Sequence, residues 1–218
     1  MIQENPGYIV VEGPIGVGKT SLARRLALSF GTELMLEAAN ENPFLERFYK
    51  DPKSARLPTQ LFFLFQRAQQ MQALRQGDMF RPVRVSDFLM AKDRLFAQLN
   101  LDDDELRLYE QVFQHLLIDA PKPDLVIYLQ APVPVLLERI QKRSRPYEQL
   151  ISADYLQRLA ESYARFFHQY EATPLLIVNA ADFNPVENEL DYNALLDEVR
   201  IARTGRHYFN PLPFDLIK

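Results

Sequence analysis

The segment Gly13-Pro14-Ile15-Gly16-Val17-Gly18-Lys19-Thr20 has the spacing G-x-x-x-x-G-K-[ST]. Such a loop binds phosphate when an apolar strand leads into it and a helix leads out, because that context aims several backbone N–H groups at one point. Both flanks are present: Tyr8-Ile9-Val10-Val11-Glu12 reads as the strand, and Ser21-Leu22-Ala23-Arg24-Arg25-Leu26 opens a helix whose N-terminal dipole favours an anion. Lys19 is then placed to bridge the β- and γ-phosphates of a triphosphate such as ATP, and the Thr20 hydroxyl to sit on Mg²⁺. The loop from Gly13 to Thr20 is the expected triphosphate site, and the chemistry it implies is transfer of the terminal phosphoryl group.

Outward from this loop, short apolar runs alternate with longer helical patterns. Tyr8 to Glu12, Glu33 to Leu36, Val83 to Ser86, Leu125 to Gln130 and Leu175 to Val178 read as strands, each nearly continuous in apolar residues, which means a parallel sheet buried on both faces. Between them, Lys19 to Phe30 closes with Gly31, Thr59 to Gln76 closes with Gly77, and Asp104 to Leu117 puts Leu106, Tyr109, Phe113 and Leu116 on one stripe. The expected fold is α/β: a three-layer P-loop NTPase-type arrangement with a five-stranded parallel sheet and helices on both faces. A length of 218 residues with 47% apolar content suits a single domain over 1–218, and no segment long enough to be a linker divides it.

Composition narrows the partners. A net charge of −4 disfavours wholesale nucleic-acid binding, and the absence of cysteine excludes disulfides and thiolate chemistry and fits a reducing compartment, with the cytoplasm as the simple reading. No stretch reaches the roughly 18 apolar residues of a membrane span, so a soluble protein without membrane contact is expected. His115, His168 and His207 have no partner spacing and read as structural or exposed. The run Asp102-Asp103-Asp104 precedes a helix and reads as an N-cap with first-turn acids rather than a metal site.

The acceptor must be read from the other strand ends, where ligands gather in open α/β sheets. Glu37 ends the second strand beside the loop, where a carboxylate can accept the proton of an attacking hydroxyl; as an isolated residue it is an ordinary solvated acid. Gln60 and Arg67 stand seven apart in Leu57-Pro58-Thr59-Gln60-Leu61-Phe62-Phe63-Leu64-Phe65-Gln66-Arg67 and project from nearly the same side of a helix, where an amide suits a nucleobase edge. Gln66 competes with Gln60 for that role, and Phe62, Phe63 and Phe65 are either walls for a base or plain core. In Leu136-Leu137-Glu138-Arg139-Ile140-Gln141-Lys142-Arg143-Ser144-Arg145, Arg139 and Arg143 share a helix face and Arg145 follows in a turn. Cations there can meet charge on the equatorial oxygens during transfer; without the phosphate loop the run would read as a solvated face.

Taken with the stretch Asn40-Glu41-Asn42-Pro43-Phe44-Leu45-Glu46-Arg47-Phe48-Tyr49, these features resemble the deoxynucleoside kinase family, most closely its bacterial purine-directed branch of deoxyadenosine and deoxyguanosine kinases, over most of the chain. The resemblance implies ATP-dependent 5′-phosphorylation of a deoxynucleoside in nucleotide salvage, with Mg²⁺ and a homodimer. It makes Glu37 the base, sets the Tyr49 hydroxyl against the sugar 3′-hydroxyl, gives Gln60 and Arg67 to the nucleobase, and makes residues from about 139 to 149 a lid bearing Arg139, Arg143 and Arg145. Glu148 then falls where the family contacts the 3′-hydroxyl. The family's acid-Arg-Ser triplet at the third strand's end is replaced by Asp87-Phe88-Leu89: Asp87 fills the acidic place near Mg²⁺, but Phe88 cannot replace an arginine. Six residues beyond, Asp93 matches an aspartate that works with the arginine at Arg67; as a lone residue it reads equally as a surface ion pair. Ala38 stands where many members carry proline.

Two other readings use the same loop. A monophosphate kinase of thymidylate-kinase type would call for extra cations at the acceptor end, where acids and asparagines stand near Glu37. A nucleotide-switched regulatory protein would call for a guanine-specific Asn-Lys-x-Asp motif, which is absent. A kinase for a sugar or shikimate-like acid would make the spacing of Tyr49, Gln60 and Arg67 accidental.

Overall fold

Strand β1 (Tyr8–Glu12) is buried at all five positions and runs through the middle of the sheet. A computed structural model describes residues 7–76, 84–116, 120–143, 145–186 and 188–210. β2 (Glu33–Met35), β3 (Arg84–Ser86), β4 (Leu125–Gln130), β5 (Leu175–Asn179) and β6 (Arg206–Phe209) complete a sheet in the order β2-β3-β1-β4-β5-β6, with every pairing parallel. Val10 lies opposite Ser86 on one side and Val126 on the other. The chain runs to one side of β1 for β2 and β3 and to the other for β4, so the crevice for ligands opens beside β1, where the phosphate loop leaves it.

Alternation along the strands divides the interior in two. Ile9 and Val11 face a cluster with Leu22 and Leu26 of α1 (Lys19–Phe30), Leu136 and Ile140 of α6 (Val133–Arg143), and Leu195 and Val199 of α8 (Glu189–Ile201). Tyr8 and Val10 face the opposite cluster, with Leu95 of α4 (Lys92–Asn100) and Leu159, Tyr163 and Phe167 of α7 (Ala153–His168). Side chains two apart on a strand share a face, so the four apolar residues of β1 feed both layers at once. A third cluster joins α3 (Pro52–Gln76), α4 and α5 (Asp103–His115) around Leu64, Phe88 and Tyr109. The short helix α2 (Leu45–Lys50) packs Leu45 and Phe48 against Ala55.

α1 ends as expected, with the Gly31 N–H donating to the Ala27 and Leu28 carbonyls. Asp102 caps α5 in a reciprocal arrangement with Glu105, which accounts for the acidic run. α3 begins at Pro52 rather than Thr59, because Pro58 is accommodated inside the helix instead of preceding it. The expected Gly77 terminus, Val83, Leu117 and Ser144 lie outside the described residues.

The five-stranded expectation is corrected to six: the segment after Gly205, to which the sequence pattern assigns no strand, adds β6 in parallel to β5. Arg206-His207-Tyr208-Phe209 is a polar, half-exposed edge, so it lacks the apolar continuity that marks the inner strands. Arg206 helps to anchor it: one guanidinium nitrogen donates to the Phe167, His168 and Tyr170 carbonyls at 2.9 to 3.2 Å, at the C-terminal end of α7. A cation there also meets the negative end of the helix dipole. Arg206→Ala is expected to lower unfolding stability by about 1 to 2 kcal/mol, read by urea denaturation, with kinetic constants unchanged.

Candidate active site

The loop after β1 wraps its carbonyls around Lys19, whose ammonium donates to Gly13 O at 2.7 Å and Pro14 O at 3.2 Å. Gly13 and Gly16 hold φ of +149° and +87°, and a Cβ on them would stand 2.5 Å from the Leu129 carbonyl oxygen and 2.7 Å from that of Leu136. No other residue type fits either place without moving the backbone. Burial pushes the Lys19 ammonium down to about 8, helped by the Lys92 cation and opposed by Glu12, Glu37 and Asp87.

Three strand ends meet at this loop. Asp87, just past β3, accepts from Thr20 Oγ1 at 2.5 Å through one oxygen and from the Glu37 backbone N–H at 2.7 Å through the other. It therefore ties the start of α1 to the segment beyond β2. Thr20 and Asp87 offer a hydroxyl and a carboxylate oxygen side by side, hard donors of the kind Mg²⁺ takes together with substrate phosphates and water. Among the described residues no cluster of three or more His, Cys, Asp or Glu forms a dedicated cage, and Mg²⁺ at a triphosphate needs none.

Glu37 lines a cavity of about 300 Å³ together with Gly16, Lys19, Thr20, Tyr49, Gln60 and Arg67. Arg67 donates to Glu37 Oε1 through Nε at 2.9 Å and through Nη2, and Nη1 grips Asp93 Oδ2. Burial pushes the Glu37 carboxyl up, but Arg67, then Lys92 and Lys19, outweigh it and hold it at about 2. For Arg67 burial disfavours the cation, and the Glu37 and Asp93 carboxylates more than reverse this.

Asp93 is fully buried beneath the cavity and is no surface pair. It accepts from Arg67, from the Gln60 amide at 2.8 Å and from the Tyr109 hydroxyl at 2.6 Å. The Gln60 amide nitrogen also donates to the Asp93 carbonyl at 3.0 Å, which leaves the Gln60 oxygen for the cavity. Gln66 is turned toward Glu41, outside the lining. Phe63 and Phe96 are in the lining, whereas Phe62 and Phe65 are not. Tyr49 is in the wall, its ring 6.3 Å from that of Tyr155, and burial raises its hydroxyl well above the usual range.

The three arginines part company. Arg143 and Arg145 line this cavity and share Glu148 Oε1, at 3.7 and 3.1 Å, while Glu148 Oε2 is buried with no hydrogen-bond partner among the described residues. Arg139 turns instead to the Ala180 carbonyl at 2.8 Å and the Val17 carbonyl at 3.4 Å. It lines a second cavity of about 280 Å³ between Gly16 to Gly18, α6 and the segment from Ala180 to Val186. The phosphate loop separates the two cavities and contributes to both.

Sequence reading missed two charged residues. Glu12, fully buried at the end of β1, accepts from the Gly13 and Leu89 N–H groups at 3.0 and 2.7 Å and from the Tyr163 hydroxyl at 3.0 Å. Its signal was a carboxylate inside an otherwise apolar central strand, where a charge needs partners. Lys92, in the run Ala91-Lys92-Asp93-Arg94, has no local signal that marks it, yet it is 2% exposed and pairs with Glu12 and Glu37. Phe88, where the resemblance places an arginine, is fully buried in the cluster of α3 to α5.

A phosphate loop at the switch point of a parallel sheet, with an ionised carboxylate facing it, defines a P-loop phosphotransferase. Residues 9–202 match the family model described as deoxynucleoside kinase, and the chain belongs to that family. It is similar to deoxyguanosine kinase of Bacillus subtilis (strain 168), 35% identical over 202 residues that cover 88% of this chain and 96% of the relative. Deoxyadenosine kinase of Lactobacillus acidophilus is 32% identical over 206 residues, covering 88% and 94%. Among solved structures, deoxyadenosine kinase from M. mycoides with the products dCMP and a flexible dCDP superposes with a TM-score of 0.77 at 25% identity, covering 88% of this chain and 98% of that one.

Gly16→Ala is expected to lower kcat/KM for ATP by on the order of 10²-fold, the scale of an ångström-sized misplacement, checked by initial rates at varied ATP.

Proposed function

We propose that this deoxynucleoside kinase transfers the γ-phosphoryl group of ATP, held with Mg²⁺, to the 5′-hydroxyl of a purine deoxynucleoside. The observation that carries this reading is that Glu37 and the phosphate loop line one cavity, with Asp87 hydrogen-bonded to both. The preference for purines is drawn from the similarity to deoxyguanosine and deoxyadenosine kinases.

Glu37 acts as the base. A carboxylate held near 2 is only an acceptor, so it orients the hydroxyl by taking its hydrogen bond. It receives the proton as the oxygen bonds to phosphorus and turns acidic, which suits a transfer with little bond formation early on. Lys19 meets the β- and γ-phosphates, exchanging two loop carbonyls for phosphate oxygens. Thr20 and Asp87 hold Mg²⁺, which supplies charge neutralisation on the phosphates.

Gln60 offers its oxygen to a donor on the base, with Arg67 and Asp93 fixing its angle. Tyr49 and Glu148 take the sugar 3′-hydroxyl; both line the cavity, and one Glu148 oxygen has no partner among the described residues. Arg143 and Arg145 close on the transferring group, within a lid over residues from about 139 to 149. Arg139 serves the donor side in the second cavity, beside the loop glycines. A monophosphate acceptor is disfavoured because Arg67 and Lys92, the described cations that meet Glu37, are committed to Glu37 and to Asp93 or Glu12. The chain acts as a single domain and as a homodimer, in the cytoplasm; no described helix is long and apolar enough to cross a membrane.

Glu37→Gln is expected to lower kcat by on the order of 10²- to 10⁴-fold, with deoxynucleoside affinity changed far less; unchanged turnover would remove the base from this site. Gln60→Ala should lose about 2 to 4 kcal/mol in kcat/KM for the best deoxynucleoside, with KM for ATP held within a small factor. Gln66→Ala is the control, and a loss there with Gln60→Ala silent would reverse the assignment.

A further inference from the structure

Five buried or half-buried charges alternate in sign across the floor of the cleft: Asp93, Arg67, Glu37, Lys92 and Glu12. Lys92 is the member for which neither phosphate binding nor base recognition provides a task. Its ammonium stands 3.2 Å from Glu12 Oε1, 3.4 Å from Glu37 Oε1 and 3.5 Å from Glu37 Oε2. β1 and β2 are not neighbours, because β3 lies between them, so this lysine from α4 spans the ends of two separated strands.

The two cations on Glu37 grip it differently. Arg67 places Nε and Nη2 on Oε1 alone, which leaves the carboxylate free to pivot about that oxygen. Lys92 reaches both oxygens and comes from a different helix, and among the described residues it is the group that meets Oε2. Two points on Oε1 and a third toward Oε2 fix the plane of the group. Glu12, for its part, already receives three hydrogen bonds from Gly13, Leu89 and Tyr163. An ammonium kept 2% exposed and shared with a cavity-lining carboxylate therefore has more to do than satisfy Glu12.

We infer that Lys92 is the positioning residue for Glu37, locking its carboxylate to the end of β1 so that Oε2 points at the acceptor hydroxyl. The inference rests on the reading of Glu37 as the base. Lys92 acts through Glu37 and needs no contact with substrate. Its removal should therefore slow transfer without weakening either substrate.

The test uses the full chain with Mg²⁺-ATP and deoxyguanosine or deoxyadenosine, in single-turnover and steady-state assays, with Tm as the check of folding. Lys92→Met is expected to lower the single-turnover rate by on the order of 10²-fold, with both KM values within about 3-fold of the parent, and Lys92→Arg to recover most of that rate. Lys92→Met also leaves Glu12 as a buried charge facing Glu37, so the double variant Glu12→Gln/Lys92→Met is decisive, including where the single variant does not fold. If the double variant is slower than Glu12→Gln alone by the order expected for Lys92→Met against the parent, Lys92 acts on Glu37; Glu12→Gln is the reference because Glu12 also holds the Gly13 N–H of the phosphate loop. Recovery of the Glu12→Gln rate in the double variant would overturn the inference and make Lys92 a counter-ion for Glu12 alone. A parent-like rate in Lys92→Met, or losses confined to KM, would overturn it equally. Glu37→Gln run in parallel separates the two readings: a fast Glu37→Gln removes the base, whereas a slow Glu37→Gln beside a fast Lys92→Met removes only the role of Lys92.

Discussion

Three carboxylates close three adjacent strand ends, Glu12 at β1, Glu37 beyond β2 and Asp87 beyond β3, and their repulsion in a buried setting governs what surrounds them. Like charges close together in low dielectric cannot all stay ionised without opposite charge nearby. Arg67 comes from α3 and Lys92 from α4, and each pairs with two acids rather than one. Asp87 is met by neutral donors, the Thr20 hydroxyl and the Glu37 N–H. The helices that frame the cleft are thus held by charge where they meet the site, within α3 at Arg67 and at the start of α4 at Lys92, and by apolar contact elsewhere. In general, taking one partner out of such a buried pair costs about 3 to 5 kcal/mol, so the set behaves as one unit.

The apolar interior makes that arrangement rigid. Because β1 sends Ile9 and Val11 to one face and Tyr8 and Val10 to the other, its C-terminal end is clamped from both sides. Tyr163 shows the coupling directly: its ring packs in the cluster under α7, and its hydroxyl donates to Glu12. Phe88 does the same by other means, filling the core of α3 to α5 next to the cleft-facing Asp87. The residue that could have brought a cation from β3 brings hydrophobic anchorage instead, and a lysine from the following helix faces the cleft.

Much of this was legible in the residues alone. The phosphate loop and strands β1 to β5 are local features, set by glycine spacing and apolar continuity within a few residues, and local features survive in a linear reading. β6 escaped because an edge strand needs apolar residues on only part of its surface, and Arg206-His207-Tyr208-Phe209 looks polar in isolation. Glu12 and Lys92 escaped for a different reason. Their partners lie far away in the chain, Leu89 and Tyr163 for Glu12, and Glu12 and Glu37 for Lys92, so their burial is a property of the fold and not of their neighbours. The spacing of Arg139 and Arg143 brings both to the second cavity, where Arg139 is held by the Ala180 carbonyl, while Arg143 also lines the first with Arg145.

Glu148 has one oxygen shared between Arg143 and Arg145 and the other buried without a partner. A carboxylate in that state is a point of competition. A donor that meets the free oxygen and an anion that draws the two arginines act on the same carboxylate, and linkage makes whatever coupling they have reciprocal in free energy. This one side chain thus joins two sides of the cavity with no rearrangement of the sheet.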